Sequence, residues 1–133
     1  MNNEIEIGIN EPIRKSFIFD TYAIISIMKG NVNYSPYLDS NIIINDFIFS
    51  ELCYNLFREG DNRAEEYIKK YSQFITQLNP DWIKEAMQFR LKWKNRGVSM
   101  TDCISYVMSK SLGIKFLTGD KEFEDLENVE FVK

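Results

Sequence analysis

The sequence predicts an α/β fold in which a central, mostly parallel sheet is covered by helices. Three observations lead there. Short β-branched or aromatic runs recur at residues 17–19, 42–44, 114–117 and 129–132, the pattern of buried strands. The longer stretches between them carry apolar residues at helical spacing, which implies right-handed crossovers rather than hairpins. The 133 residues, 44% hydrophobic and 14% aromatic, suffice for one domain with a substantial core.

In chain order, Lys15-Ser-Phe-Ile-Phe-Asp20 reads as a short buried strand that ends in an acid. Residues 21–29 follow as a helix closed by Gly30. Residues 31–40 form a loop with room for one helical turn begun at Ser35-Pro36. Ile42-Ile-Ile44 is the second strand, and Asn45-Asp46 offers capping side chains for the next helix. That helix carries Ile48, Leu52 and Leu56 on one stripe and stops near Gly60-Asp-Asn62. Residues 63–71 look helical and charged, and residues 74–78 read as a strand or as the end of that helix, with strand preferred.

Asn79-Pro80 is a helix start, a capping residue followed by proline at the first helical position. Trp82, Ala86, Phe89 and Trp93 then mark one buried face, and Gly97 ends the helix. Ser99-Met-Thr-Asp102 opens the next, with Ile104, Val107, Met108 and Ser111 as its buried face and Gly113 as its stop. Residues 114–117 form a strand, Thr118-Gly-Asp120 a turn, and residues 129–132 a last short strand.

Composition removes whole classes of chemistry. The chain has no histidine, which excludes Ser–His–Asp triads, Cys–His pairs and a histidine base. Its two cysteines, Cys53 and Cys103, form no CxxC pattern and cannot build a Cys₄ zinc site. No stretch approaches the roughly 20 apolar residues of a membrane span. Residues 1–11 carry Glu4, Glu6 and Glu11 and lack the basic start and apolar run of a signal peptide. A soluble, cytoplasmic protein is expected. The net charge of −4 and pI near 4.9 argue against a broad basic surface for nucleic acid. They leave room for a nucleic acid held locally through metal ions.

The remaining chemistry must run on carboxylates, lysines, hydroxyls or a hard cation. Asp20 closes the first strand, and Asp120 lies just past a later one. Glu51 falls in the second turn of the helix after residues 42–44, and Asp102 in the first turn of the helix before residues 114–117. Separations of 31, 51 and 18 residues mean nothing locally. They make sense if parallel strands bring their ends to one rim, where ligands of such sheets usually sit. Four carboxylates there would repel unless cations joined them, and oxygen-only donors suit magnesium. Each acid also has a plain structural reading. Asp20 and Asp120 can cap turns, Glu51 lies off the apolar stripe as a solvated glutamate would, and Asp102 completes a capping box with Ser99.

These residues carry a family resemblance. Phe17-Ile-Phe-Asp20-Thr21, Ser50-Glu51-Leu52, Ser99-Met-Thr-Asp102 and Leu117-Thr-Gly-Asp120-Lys-Glu-Phe123 resemble, in order, the four acidic motifs of PIN-domain ribonucleases. The likeness runs from about residue 17 to 132, and the length suits the single-domain VapC-type toxins. It implies an α/β/α sandwich over residues 16–133, preceded by an extra N-terminal segment, 1–15. It also implies an Mg²⁺- or Mn²⁺-dependent endoribonuclease in which Asp20, Asp102 and Asp120 hold the ion and Glu51 supports it or reaches a second. Water attack on a backbone phosphate would leave 5′-phosphate and 3′-hydroxyl ends. Thr21 and Thr118 would orient the carboxylates, while Ser99 is expected to cap its helix. A homodimer and neutralisation by a small cognate antitoxin follow from the same resemblance.

Lys92, Lys94, Arg96, Lys115 and Lys121 are the candidate RNA contacts. The stripe of Trp82, Phe89 and Trp93 reads as core rather than as a stacking surface. Ile24, Ile27 and Met28, with Ile48, Leu52 and Leu56, read either as core or as a partner face. Tyr22 stands where smaller residues often follow the Asp-Thr pair, which would alter the pocket floor. Competing functions are a housekeeping RNA-processing nuclease, a PIN-like interaction module whose acids are structural, and a haloacid-dehalogenase-type phosphatase. The last needs a second acid two residues after Asp20, where this chain has Tyr22.

Overall fold

The computed structural model describes residues 13–133; the expected N-terminal segment 1–15 lies outside the described residues except for its last three. Four strands form one sheet: β1 (Ser16–Phe19), β2 (Asn41–Ile43), β3 (Lys115–Thr118) and β4 (Val129–Phe131). Their order is β2-β1-β3-β4 and every pairing is parallel. In register, Ile18 sits between Ile43 and Phe116, and Leu117 opposes Glu130. Parallel strands cannot be joined by tight turns, and most of the chain between them is helical: α1 (Thr21–Met28), α2 (Asp46–Glu59), α3 (Ala64–Ser72), α4 (Pro80–Lys92) and α5 (Met100–Leu112).

The winding direction reverses at β1. The chain leaves β1 for β2 on one side, then returns past it to β3 and β4 on the other. Right-handed crossovers then put helices on both faces of the sheet, the α/β/α arrangement expected from sequence. The crevice between the carboxyl ends of β1 and β3 is the topological switch point, where adjoining loops part and leave room for a ligand.

The core explains why these short strands hold. Ile18, Phe19, Phe116 and Leu117 are fully buried, sandwiched by Ala23 and Ile24 of α1 and by Ile104, Val107 and Met108 of α5. Ile48, Leu52 and Leu56 of α2 are buried too, and Ile27 and Met28 pack against the core at its edge. The structure therefore uses that apolar set for packing. Trp82, Phe89 and Trp93 also lie against the core, with Phe89 and Trp93 in ring contact at 4.3 Å.

Four details differ from the sequence reading. Residues 74–78 contribute one bridge instead of a strand: Ile44 N–H donates to Phe74 O and Thr76 N–H to Ile44 O. Beyond Ile44 the edge strand gives way to the cap of α2, so the ladder has no further partner. Helix α4 ends at Lys92 rather than Gly97; Arg96 N–H donates to Trp93 O in a turn, and Gly97, at φ +68°, takes the left-handed position that closes it. Ser111 is exposed, because α5 is buried over residues 103–109 and emerges at Lys110. The helical turn in the loop after α1 is a 3₁₀ turn that starts at Val32, earlier than Ser35, because the Asn31 side chain caps it at Asn33 N–H.

Asn45 joins two layers. Fully buried, it accepts from Ile48 N–H at 3.0 Å as the cap of α2 and donates to Ser105 Oγ of α5 at 3.1 Å. Asn45→Ala removes the cap and leaves a buried hydroxyl short of a partner, so it should cost about 2–3 kcal/mol. A fall in urea midpoint at constant m-value is the expected result.

Candidate functional site

All four predicted acids line one open cavity of about 1110 Å³ beyond the carboxyl ends of β1 and β3. Asp20 follows β1 directly and is 5% exposed. Its Oδ1 accepts from Tyr22 N–H at 3.3 Å, capping α1, while Oδ2 accepts from Thr118 Oγ1 at 2.5 Å. Its own N–H donates to Leu117 O at 3.0 Å. The capping reading and the rim reading of Asp20 are thus both realised by one side chain.

Thr118 relays the tie further. Its hydroxyl oxygen accepts from Asp120 N–H at 3.1 Å, and Asp120 Oδ1 in turn accepts from Glu122 N–H at 3.0 Å. That contact starts a short 3₁₀ turn, Lys121–Phe123, anchored by the buried ring of Phe123. Glu51 is half-buried, and its Oε1 accepts from Thr21 Oγ1 at 2.9 Å. Ser99 Oγ accepts from Asp102 N–H at 3.0 Å as the cap of α5, which points the Asp102 turn at the cavity. Thr21 and Thr118, expected to steady carboxylates, do hydrogen-bond Glu51 and Asp20.

The family model of the PIN domain matches residues 17–129. The chain belongs to the PIN domain family. Sequence comparison with curated proteins finds no significant match. Among solved structures it is similar to a toxin-antitoxin complex from Klebsiella pneumoniae, with a TM-score of 0.71 at 17% identity over 86% of this chain and 95% of that one. It is also similar to VapC20 of Mycobacterium tuberculosis, a sarcin-ricin loop cleaving toxin, with a TM-score of 0.71 at 15% identity over 90% and 100%. A third neighbour is PAE2754 from Pyrobaculum aerophilum, at 0.65 and 17% over 88% and 89%. At these identities the likeness is one of fold.

Electrostatically, this PIN domain carries a strained rim. Burial pushes the Asp20 carboxyl up to about 6 against the hydrogen bonds from Thr118 and Tyr22, and the charges of Glu51 and Asp120 add to the rise. Asp102 is pushed up to about 8, by burial first and then by Asp20, Glu51 and Asp120. Among the described residues, no three Asp, Glu, Cys or His side chains are gathered tightly enough to hold a metal ion by themselves. The donor set nonetheless suits a hydrated hard cation. Magnesium keeps several waters and takes only one or two carboxylates directly, and the open cavity supplies both the carboxylates and the room.

The candidate cations separate in space. Lys121 lines the cavity beside Asp120. Arg96 donates to Glu122 O at 2.9 Å and stacks over Trp93 at 3.9 Å, close to Lys121 but outside the cavity wall. Lys94 lines a neighbouring depression that shares Ser99, and Lys92 is exposed on α4. Lys115 opens β3, at the opposite edge of the sheet, and pairs with Glu130 at 3.7 Å. Strand direction alone takes it away from the site. Lys29, Lys133 and Tyr54 line the cavity unannounced by any sequence pattern.

The raised acids set a sign for stability against pH. An unfolded aspartate loses its proton near 3.9, whereas folded Asp20 and Asp102 keep theirs to about 6 and about 8. Folding therefore takes up protons between these values, and the stability contribution present below pH 4 is lost as pH rises to 8. Asp102→Asn should match the wild type near pH 4 and exceed it by about 1–3 kcal/mol at pH 8 without divalent ions, as read by chemical denaturation at each pH.

Proposed function

We propose that this chain is a metal-dependent endoribonuclease that hydrolyses RNA phosphodiester bonds, and that it is the toxin of a toxin–antitoxin pair. The observation that supports this reading is the meeting of Asp20, Glu51, Asp102 and Asp120, from four separate segments, on one cavity at the switch point of a PIN domain. A fold alone does not assign an activity, so the weight rests on that site. The mutual repulsion of the four acids costs stability, which a purely structural role leaves without a return.

Asp20, Asp102 and Asp120 would hold Mg²⁺ or Mn²⁺ directly or through water, with Glu51 supporting the ion or reaching a second. When bound, such an ion lowers the pKa of water and neutralises charge on phosphoryl oxygens. The chain's own contribution is placement. Thr118 and Thr21 fix the rotation of Asp20 and Glu51, two of the carboxylates that line the cavity. Lys121, on the cavity wall, offers a cation to the RNA backbone. Two neighbours bear on biological role: one is a toxin-antitoxin complex and one a toxin that cleaves the sarcin-ricin loop. By extension we propose a small protein antitoxin, a homodimer and a cytoplasmic setting, the last in keeping with two free thiols, Cys53 and Cys103.

Purified protein incubated with a mixed pool of structured RNAs tests the activity. Cuts are expected with Mn²⁺ or Mg²⁺, with none in EDTA and none from Asp102→Asn, although that variant is the more stable protein. Cleavage that survives EDTA or the variant would refute this site. No cleavage and no rise in melting temperature with divalent ions would favour the interaction module.

A further inference from the structure

Four carboxylates crowd the cavity, yet the lysines on its wall do not neutralise them. Among the described residues, the ion pairs are Arg58–Glu59, Arg63–Asp61, Arg96–Asp125, Lys110–Glu127 and Lys115–Glu130. Lys29, Lys121 and Lys133, which line the cavity, take part in none of them. Lys133 is held instead by neutral groups. Its Nζ donates to Gly119 O at 3.3 Å and lies 5.4 Å from the centre of the Tyr22 ring. A lysine so held has donors to spare.

Tyr22 is equally fixed. It follows Asp20 and Thr21 in the first turn of α1, where Thr21, Ala23 and Ile24 are buried and Tyr22 is 37% exposed. One side of its ring rests on Gly119, so closely that a Cβ there would stand 2.2 Å from the ring. Only glycine permits that approach. Tyr34 adds a tilted ring contact at 6.3 Å and is itself tethered through its hydroxyl to Val132 O at 2.6 Å. The chain thus immobilises an aromatic face and an uncommitted ammonium side by side, on the lip of the carboxylate site.

We propose that Tyr22 and Lys133 form a nucleotide clamp: the exposed part of the Tyr22 ring stacks an unpaired base next to the scissile phosphate, and Lys133 Nζ binds a backbone phosphate of that nucleotide. This rests on the nuclease reading and adds two positioning residues to it. A flat ring with its other side packed loses little freedom on stacking, and the stack tolerates any base. Lys133 supplies positive charge locally in a chain of net charge −4.

The test measures binding of a fluorescein-labelled, mixed-sequence single-stranded RNA decamer to the Asp102→Asn protein in Mg²⁺ buffer, which keeps the RNA whole. Tyr22→Leu, which still covers Gly119 but has no π face, should weaken binding about 5- to 100-fold, and Tyr22→Trp should retain it. Lys133→Ala should weaken binding and lower the slope of log affinity against log salt by about 0.7, with recovery in Lys133→Arg. Melting temperatures should not move in the Lys133 series. In the Tyr22 series RNA affinity should follow the aromatic ring, lost in Leu and kept in Trp, whatever the melting temperature does, which separates a clamp from a packing role. If Tyr22→Leu or Lys133→Ala left affinity and salt slope unchanged while the parent bound RNA, the clamp would be overturned and the nuclease reading would stand. If the parent bound no RNA and the active protein cut none, both would fall.

Discussion

The site depends on how the carboxylate of Asp20 is divided. One oxygen caps α1 through Tyr22 N–H and the other takes the Thr118 hydroxyl, while the Asp20 backbone joins β1 to β3 through Leu117 O. The same residue therefore starts a helix, ties two central strands and places a charge at the switch point. Thr118 passes the restraint to Asp120 and so to the turn at Lys121–Phe123. Without such ties, four nearby carboxylates would rotate apart into water, which is the lower-energy arrangement for like charges. Burial, and then the neighbouring charges, raise the proton affinity of Asp20 and Asp102 in spite of the hydrogen bonds they accept or sit beside. On the proposed reading, stability is traded for a cluster that becomes favourable when a cation neutralises it.

The fold was readable where burial leaves a periodic mark. Phe17-Ile-Phe and Ile42-Ile-Ile are continuous apolar runs because β1 and β2 are packed under helices, and Asn45, Asn79 and Ser99 announced helix starts that each side chain does cap. Asp20 and Asp120 were readable for a related reason: parallel strands put their carboxyl ends on one edge, so an acid after a strand falls on the ligand side. Residues 74–78 misled because β-branched and aromatic content fits any half-buried extended chain. What decided their structure was the end of the neighbouring edge strand at Ile44, a tertiary fact.

Of the cationic half of the site, only Lys121 was readable. Lys115 and Lys121 flank the same predicted strand, 114–117, but the strand carries them to opposite edges of the sheet. Lys29 closes α1 and Lys133 follows β4, and neither stands in a motif. Lysine at such positions is ordinarily a solvated residue, and only the cavity sets these apart. Tyr22 was visible as a departure from small residues, yet its partner in that departure, Gly119, is 97 positions away. A glycine between Thr118 and Asp120 reads locally as a turn residue. Its second use, admitting the Tyr22 ring, exists only once α1 and β3 have met.

This division of labour bears on how an acidic protein could handle a polyanion. Beyond a Debye length, about 8 Å at physiological salt, the net charge of −4 repels RNA weakly and is screened. Within that distance the local arrangement governs, and here the arrangement is asymmetric. Lys110 and Lys115, remote from the cavity, are spent on Glu127 and Glu130, whereas Lys133 at its lip is held by a carbonyl and a ring. Had Lys133 paired with Asp20 or Asp120, it would have relieved their repulsion and reduced the demand for a metal ion. On the proposed reading, keeping it on neutral partners leaves the carboxylates for a cation and the ammonium for the RNA.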